Sequence, residues 1–281
     1  MQGYFGQFFF ALRQDLVGRW PGPGLTARVS TDVWLLGLGI SALALAVLLW
    51  GTAGAFAGFH AVNAVAPWAP DGFWGLTTSA GDGLILGVLG LFMARRYPHV
   101  LWILFIGILV AGLLTHLPKA WIDLPRPAGV LEAGSFYLLG PELRTKGPPS
   151  GHAVAVFTLA GIVVYVLRNT GLRLLVLAVA VLIAISRVVV GAHWPLDVLM
   201  GGGLGLIAAW IAIALGTRFP WGRNPWVHLG LLGFFVTAAL MLMTFDPGYP
   251  LGRELSVLVA ASALLVVVRQ YFIDPPGACR S

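Results

Sequence analysis

Charge is the scarcest property of this sequence. Only 10% of its 281 residues are Asp, Glu, Lys or Arg, where a soluble domain carries about 25%. That shortfall excludes an ordinary water-exposed fold. Cysteine is nearly absent: Cys279 stands alone, so there is no internal disulfide, and no Cys/His set has zinc spacing. Carboxylates are few and dispersed, with no cluster of the kind that holds Mg²⁺. The formal net charge is +6. The basic residues flank apolar segments and form no stripe, which argues against nucleic acid as a partner. Repeats and low-complexity stretches are also missing. No cleavable signal peptide is evident, and the first apolar segment reads as a retained signal anchor.

What is abundant is apolar sequence, 58% of the chain. Eight segments are long enough, or nearly so, to cross a bilayer: residues 33–56, 73–94, 100–117, 152–167, 174–190, 196–215, 229–245 and 255–268. The fourth and eighth are the shortest. Backbone groups in lipid must be satisfied within their own segment, so these are helices. The expected fold is all-α, a polytopic transmembrane bundle of about eight spans. It divides into a lead (1–32), a core (33–215), and two additional helices with a tail (216–281). The lead carries Tyr4, Phe5, Phe8, Phe9, Leu12 and Leu16 at roughly helical spacing, with Arg13 and Asp15 interleaved. It fits either an interfacial helix or a partly ordered tail. Pro21-Gly22-Pro23-Gly24 breaks the chain before the first span.

Lys and Arg placement gives the orientation. Of 17 basic residues, Arg13, Arg19, Arg28, Arg95, Arg96, Arg168, Arg173, Arg218, Arg223, Arg269 and Arg280 fall on one side, while Lys119, Arg126, Arg144, Lys146, Arg187 and Arg253 fall on the other. The richer side is expected to be cytoplasmic, with both termini there. The opposite side holds the longest loop, about 118–151, rich in Pro, Gly and charge. An otherwise apolar chain has gathered charge on one face, and that face is the functional candidate.

Three segments meet on it. The first is Lys119, six residues, then Arg126-Pro127. Pro118, Pro125 and Pro127 predict an irregular loop, on which two cations can fold back toward one anion: a planar fork from Arg126 and a compact charge from Lys119. The competing account is a pair of flanking basic side chains snorkelling at the interface. The second is Pro149-Ser150-Gly151-His152. Ser150 is a natural N-cap, the helix start offers free N–H groups to an anion, and Gly151 permits close approach. A capped helix with an incidental histidine is the competing account. The third is Ser186-Arg187, five residues, His193, three residues, Asp197. Side chains on a helix lean toward its N-terminus, so Asp197 can reach back to His193. A carboxylate behind an imidazole fixes its tautomer and supports positive charge on the ring. An acid favoured by the helix start is the alternative.

Together these segments resemble the three-part signature of the type 2 phosphatidic acid phosphatase family, in order and with matching internal spacing, over roughly residues 75–215. The resemblance implies a membrane lipid phosphatase that needs no cofactor or metal, with His193, Asp197 and His152 as catalytic residues. His193 attacks phosphorus to give a phosphohistidine, Asp197 orients it, and His152 serves as acid and then base. Lys119, Arg126, Ser150, Gly151 and Arg187 hold the phosphate. Expected substrates include undecaprenyl diphosphate, phosphatidylglycerol phosphate, phosphatidic acid and lipid A, on the periplasmic or extracellular face of a bacterial inner (plasma) membrane. A lipid phosphotransferase and a non-catalytic lipid transporter are the alternatives; oligomeric state stays open.

Other residues carry weaker signals. Asp82, within Gly81-Asp82-Gly83, is read as structural inside the second span. His116 is placed at the site's edge. Gly201 to Gly205 is a packing face. The 11 tryptophans are expected mostly as interface anchors. Arg144 and Lys146 are possible headgroup contacts or solvated loop charges.

Overall fold

A computed structural model describes residues 2–21 and 33–276, with side chains from residue 6 onward. Cys279, Arg280, Arg28, the Gly22-Pro23-Gly24 part of the break, and the side chains of Tyr4 and Phe5 lie outside the described residues. All regular structure described is helical. In chain order the helices are α1 (Gln2–Arg19), α2 (Val33–Ala53), α3 (Phe59–Asn63), α4 (Asp71–Ser79), α5 (Gly83–Val88), α6 (Gly90–Met93), α7 (Pro98–Trp121), α8 (Pro127–Val130), α9 (Gly151–Val166), α10 (Thr170–Val189), α11 (Pro195–Arg218), α12 (Pro225–Leu242) and α13 (Gly252–Val268).

Six of these elements are long and apolar enough to cross a membrane: α2, α7, α10, α11, α12, and α13 with the turn that extends it to Ile273. Helix α9 is apolar but shorter, and α4 with Gly83–Met93 forms a bent seventh candidate. Each of the eight apolar segments therefore has its helical counterpart, and the chain is an integral-membrane protein. Two boundaries differ from the sequence reading. The second span is not continuous. It bends by 58° where Gly81 and Gly83 flank Asp82, and Asp82 caps α5 by accepting from the Leu84 N–H at 2.8 Å. The third span runs on through Pro118 to Trp121. Proline lacks only its own N–H there, and the Pro118 carbonyl still accepts from Ile122 at 2.8 Å. Lys119 therefore rides on a helix end and not on a loop.

Helix α11 is the centre, packed against α9, α2 and α7. Its glycines let backbones approach. A Cβ at Gly201 would meet the Ser150 carbonyl at 2.6 Å, and one at Gly205 the Val154 carbonyl at 2.5 Å. The Gly201–Gly205 face thus presses α9 against α11 and sets the height of the α9 N-terminus. The lead is helical over its described part, and Leu12 and Leu16 are buried, with α1 seated on α12. Trp68, Trp121, Trp221 and Trp226 are exposed, but Trp74, Trp102 and Trp194 are buried.

Candidate active site

The site is built at one end of the bundle, where α7 and α10 finish and α9 and α11 begin. At the end of α10, Gly191 turns the chain with φ of 77°. Alanine there would be strained, and its Cβ would strike the Tyr137 carbonyl at 2.6 Å. The turn closes on Arg187, whose carbonyl accepts from the Ala192 and His193 N–H groups at 3.0 and 3.1 Å. His193 is thereby carried over Arg187, and α11 starts with Pro195 at its first turn.

His193 Nδ1 donates to Asp197 Oδ2 at 2.9 Å, and both side chains are buried, 2% and 1% exposed. The same carboxylate oxygen accepts from the Trp194 N–H at 3.1 Å. Asp197 is anchored twice, and the Nδ1 proton it accepts leaves the lone pair on Nε2. Burial first, then the positive charges of Arg126 and Arg187, hold the His193 imidazole well below the ordinary histidine range. It rests as a neutral base.

The 122–150 loop is wired into this turn. The Arg126 backbone N–H donates to the Arg144 carbonyl at 3.0 Å; its Nε donates to the Thr145 carbonyl at 2.9 Å and its Nη1 to the Ala192 carbonyl at 3.3 Å. Trp194 Nε1 donates to the Pro125 carbonyl at 2.8 Å. Asn63, at the end of α3, straps the loop. Its Nδ2 donates to the Tyr137 and Val189 carbonyls and its Oδ1 accepts from the Tyr137 N–H, all at 2.9 Å. Burial, and after it the Arg187 charge, pull Arg126 below its usual value. Two buried guanidiniums that feel each other's charge favour an anion near both. Away from this cluster, burial and a hydrogen bond to Asp71 push the Tyr137 phenol up.

Ser150 occupies the N-cap position of α9, but its side chain makes no capping bond. Its N–H donates instead to the Asp197 carbonyl at 2.9 Å, and its hydroxyl is left over. Four buried polar atoms on these segments lack a partner among the described residues: Ser150 Oγ, His152 Nε2, Arg187 Nε and the acceptor Asp197 Oδ1. Orphans of this kind are rare, and here they gather where an anion would lie. Lys119 lines the same cleft as Gly151, in a groove of about 320 Å³ bounded by α5, α7 and α9. From Lys119 the groove runs past His116, Gly112 and Ile108 to Leu104, roughly 22 Å along α7 at 1.5 Å per residue. Beyond its polar mouth it is apolar.

Thus Lys119, Arg126, Ser150, Gly151, His152, Arg187, His193 and Asp197 come from three separate sequence segments and share one buried end of the bundle. Arg144 stands apart, exposed and paired with Glu142 at 2.6 Å. Thr78 and Tyr249, whose hydroxyls both bind Arg187, were not singled out in the sequence, and neither were Asn63 and Trp194. No group of three or more His, Cys, Asp or Glu that could hold a metal ion occurs among the described residues.

Comparison with known proteins fits this geometry. Residues 100–221 match the family model described as the PAP2 superfamily. An undecaprenyl-diphosphatase of Sulfolobus acidocaldarius is 34% identical over 131 residues, covering 46% of this chain and 62% of that protein. A lipid A 1-phosphatase of Rhizobium etli is 31% identical over 137 residues, covering 46% and 58% respectively. The chain thus spans about three fifths of the length of these curated relatives. The crystal structure of Aquifex aeolicus LpxE superposes with a TM-score of 0.50 at 28% identity, covering 55% of this chain and 91% of that one.

Proposed function

We propose, from the match of residues 100–221 to the PAP2 superfamily and the similarity to its relatives, that the chain is an integral-membrane phosphatase acting on a lipid mono- or diphosphate through a phosphohistidine. The observation that carries this reading is the set of orphaned polar atoms around the His193–Asp197 pair. A phosphate bridging Arg126, Arg187, Ser150 and the first N–H groups of α9 would satisfy the donors among them, Ser150 Oγ and Arg187 Nε.

The steps follow from the atoms. His193 Nε2 attacks phosphorus as the bond to the lipid oxygen breaks, and protonated His152 gives its proton to that oxygen. Asp197 accepts the hydrogen bond from Nδ1–H throughout and stabilises the ring as it becomes positive. His152, now neutral, takes a proton from water; the hydroxide attacks phosphorus, and the N–P bond breaks. Inorganic phosphate leaves and both histidines are restored. Lys119, Arg126 and Arg187 supply the positive charge that phosphoryl transfer needs.

The apolar groove supports a lipid as the substrate. Its polar mouth is lined by Lys119 and Gly151, so a phosphate bound there leaves a chain length of wall for the tail. The named activities of the two relatives, on undecaprenyl diphosphate and lipid A, support the same class. The site face carries fewer basic residues than the opposite face, which supports an outward-facing site with cytoplasmic termini. The test is phosphate release by the purified chain from a panel of lipid phosphates in excess EDTA, without acceptor lipid. Release that His193→Ala abolishes is expected. Strict Mg²⁺ dependence, or unchanged release in that variant, would overturn the reading. Phosphate that ends on an added acceptor lipid, with none free in solution, would make the protein a transferase.

A further inference from the structure

The buried guanidinium of Arg187 is held by two hydroxyls that both come from outside the segment matched to the family. Its Nη1 donates to Thr78 Oγ1 at 2.6 Å and to Tyr249 Oη at 2.9 Å. The Tyr249 ring also lies against the guanidinium, 5.3 Å from Cζ to centroid. Nη1 has two hydrogens, and both are used. What remains is the edge formed by Nε and Nη2, the fork that fits two oxygens of a phosphate. Nε on that edge is one of the buried atoms without a partner. A guanidinium tethered at one nitrogen by two acceptors cannot swing about its flexible stem, so the free edge is aimed.

Tyr249 belongs to the turn between α12 and α13, and Thr78 to the last turn of α4. The turn is wedged in place. The Tyr249 carbonyl accepts from the Gly252 N–H at 2.9 Å. Glycine at 75 makes room for Pro250, and glycine at 140 for the Tyr249 ring. The position of the phenol oxygen is therefore set jointly by α4, the long loop and the C-terminal helical pair.

We propose that Tyr249, together with Thr78, is a positioning residue that aims the Nε–Nη2 edge of Arg187 at the phosphate, so that α12 and α13 complete the site. The kinetic part of this inference rests on the phosphatase reading; the anion-binding part does not. Both are tested on the purified full chain in detergent. Tyr249→Phe keeps the ring and removes the hydroxyl, and Thr78→Val removes the other acceptor. Each is expected to lower kcat about tenfold while KM for the lipid stays within about twofold, and to weaken binding of orthovanadate, titrated calorimetrically, by a similar factor of about ten. In an Arg187→Lys background, which lacks the fork, Tyr249→Phe should add nothing. Unchanged kcat and unchanged orthovanadate affinity in both single variants would overturn the proposal. So would an undiminished effect of Tyr249→Phe in the Arg187→Lys background, which would mean that it acts on packing. If the wild type binds orthovanadate but releases phosphate from no lipid, and Tyr249→Phe weakens that binding, the phosphatase reading falls and the positioning role stands. If the wild type neither binds nor hydrolyses, both fall.

Discussion

The His193 imidazole lies among three neighbours of opposite effect. Burial and the Arg126 and Arg187 charges disfavour its protonated form, while Asp197 holds Nδ1–H and leaves Nε2 free. Exchanging Asp197 for Asn keeps the shape but offers an amide that can impose the wrong tautomer. We expect Asp197→Asn to lower kcat by about 10³ to 10⁴ with little change in KM, measured as steady-state phosphate release. The direction of the His193 shift fixes a pH dependence. A histidine whose folded value is depressed binds fewer protons in the native state than in the unfolded state below about pH 6.5. The stability linked to it is fully present above that value and declines as pH falls from there toward the depressed folded value, while the folded imidazole stays neutral through that interval. The acid limb of kcat/KM should accordingly lie below the ordinary histidine range. A limb centred at about 6.5 or above, in a profile of the wild type, would contradict the buried, cation-flanked geometry.

Among elements, the α9–α11 contact decides the height of the α9 N-terminus, the proposed phosphate cradle, because Gly201 and Gly205 bring Ser150 and Val154 against α11. Gly205→Val should lower the thermal midpoint in detergent and reduce activity, whereas Gly230→Ala, which has open space around its Cβ, should leave both within error. The groove offers a separate test. Gly112 on α7 lines it with nothing within 4 Å of a built Cβ. Gly112→Leu should raise KM several-fold for a long-chain lipid phosphate but leave a short water-soluble phosphate ester unaffected; equal effects on both would remove the groove from the account. Much of this layer was legible beforehand. Long apolar runs and their flanking charges mark helices, and the small-residue face of α11 announced close packing. The bend at Asp82 was hidden, because its apolar neighbours read as one span. Helix α7 continuing through Pro118 was hidden too, because a proline near a helix end costs only one hydrogen bond. Tyr249 and Thr78 carry no spacing signal at all: a tyrosine in a turn and a threonine in a span are common, and only the fold brings them to Arg187.

At the scale of the whole molecule, the basic residues on described helix ends opposite the site, from Arg95 and Arg173 to Arg218 and Arg269, argue for a site that opens away from the cytoplasm. In sealed, right-side-out vesicles a membrane-impermeant phosphate ester should be hydrolysed at the same rate before and after permeabilisation; activity that appears only on permeabilisation would reverse the orientation. The arrangement of the bundle makes a stronger claim than its orientation. Helix ends from α7, α9, α10 and α11, locked by the α12–α13 turn, gather cations and orphaned donors around one imidazole. That claim is tested most directly by trapping the covalent state. His152→Ala removes the acid of the first step and the base of the second, so the purified variant, given a nitrophenyl phosphate whose leaving group needs no proton, in excess EDTA and quenched in alkali, should carry phosphate on His193 when its peptides are mapped by mass spectrometry. Phosphate on another residue, or no phosphoenzyme although the wild type turns over under the same conditions, would contradict the histidine site.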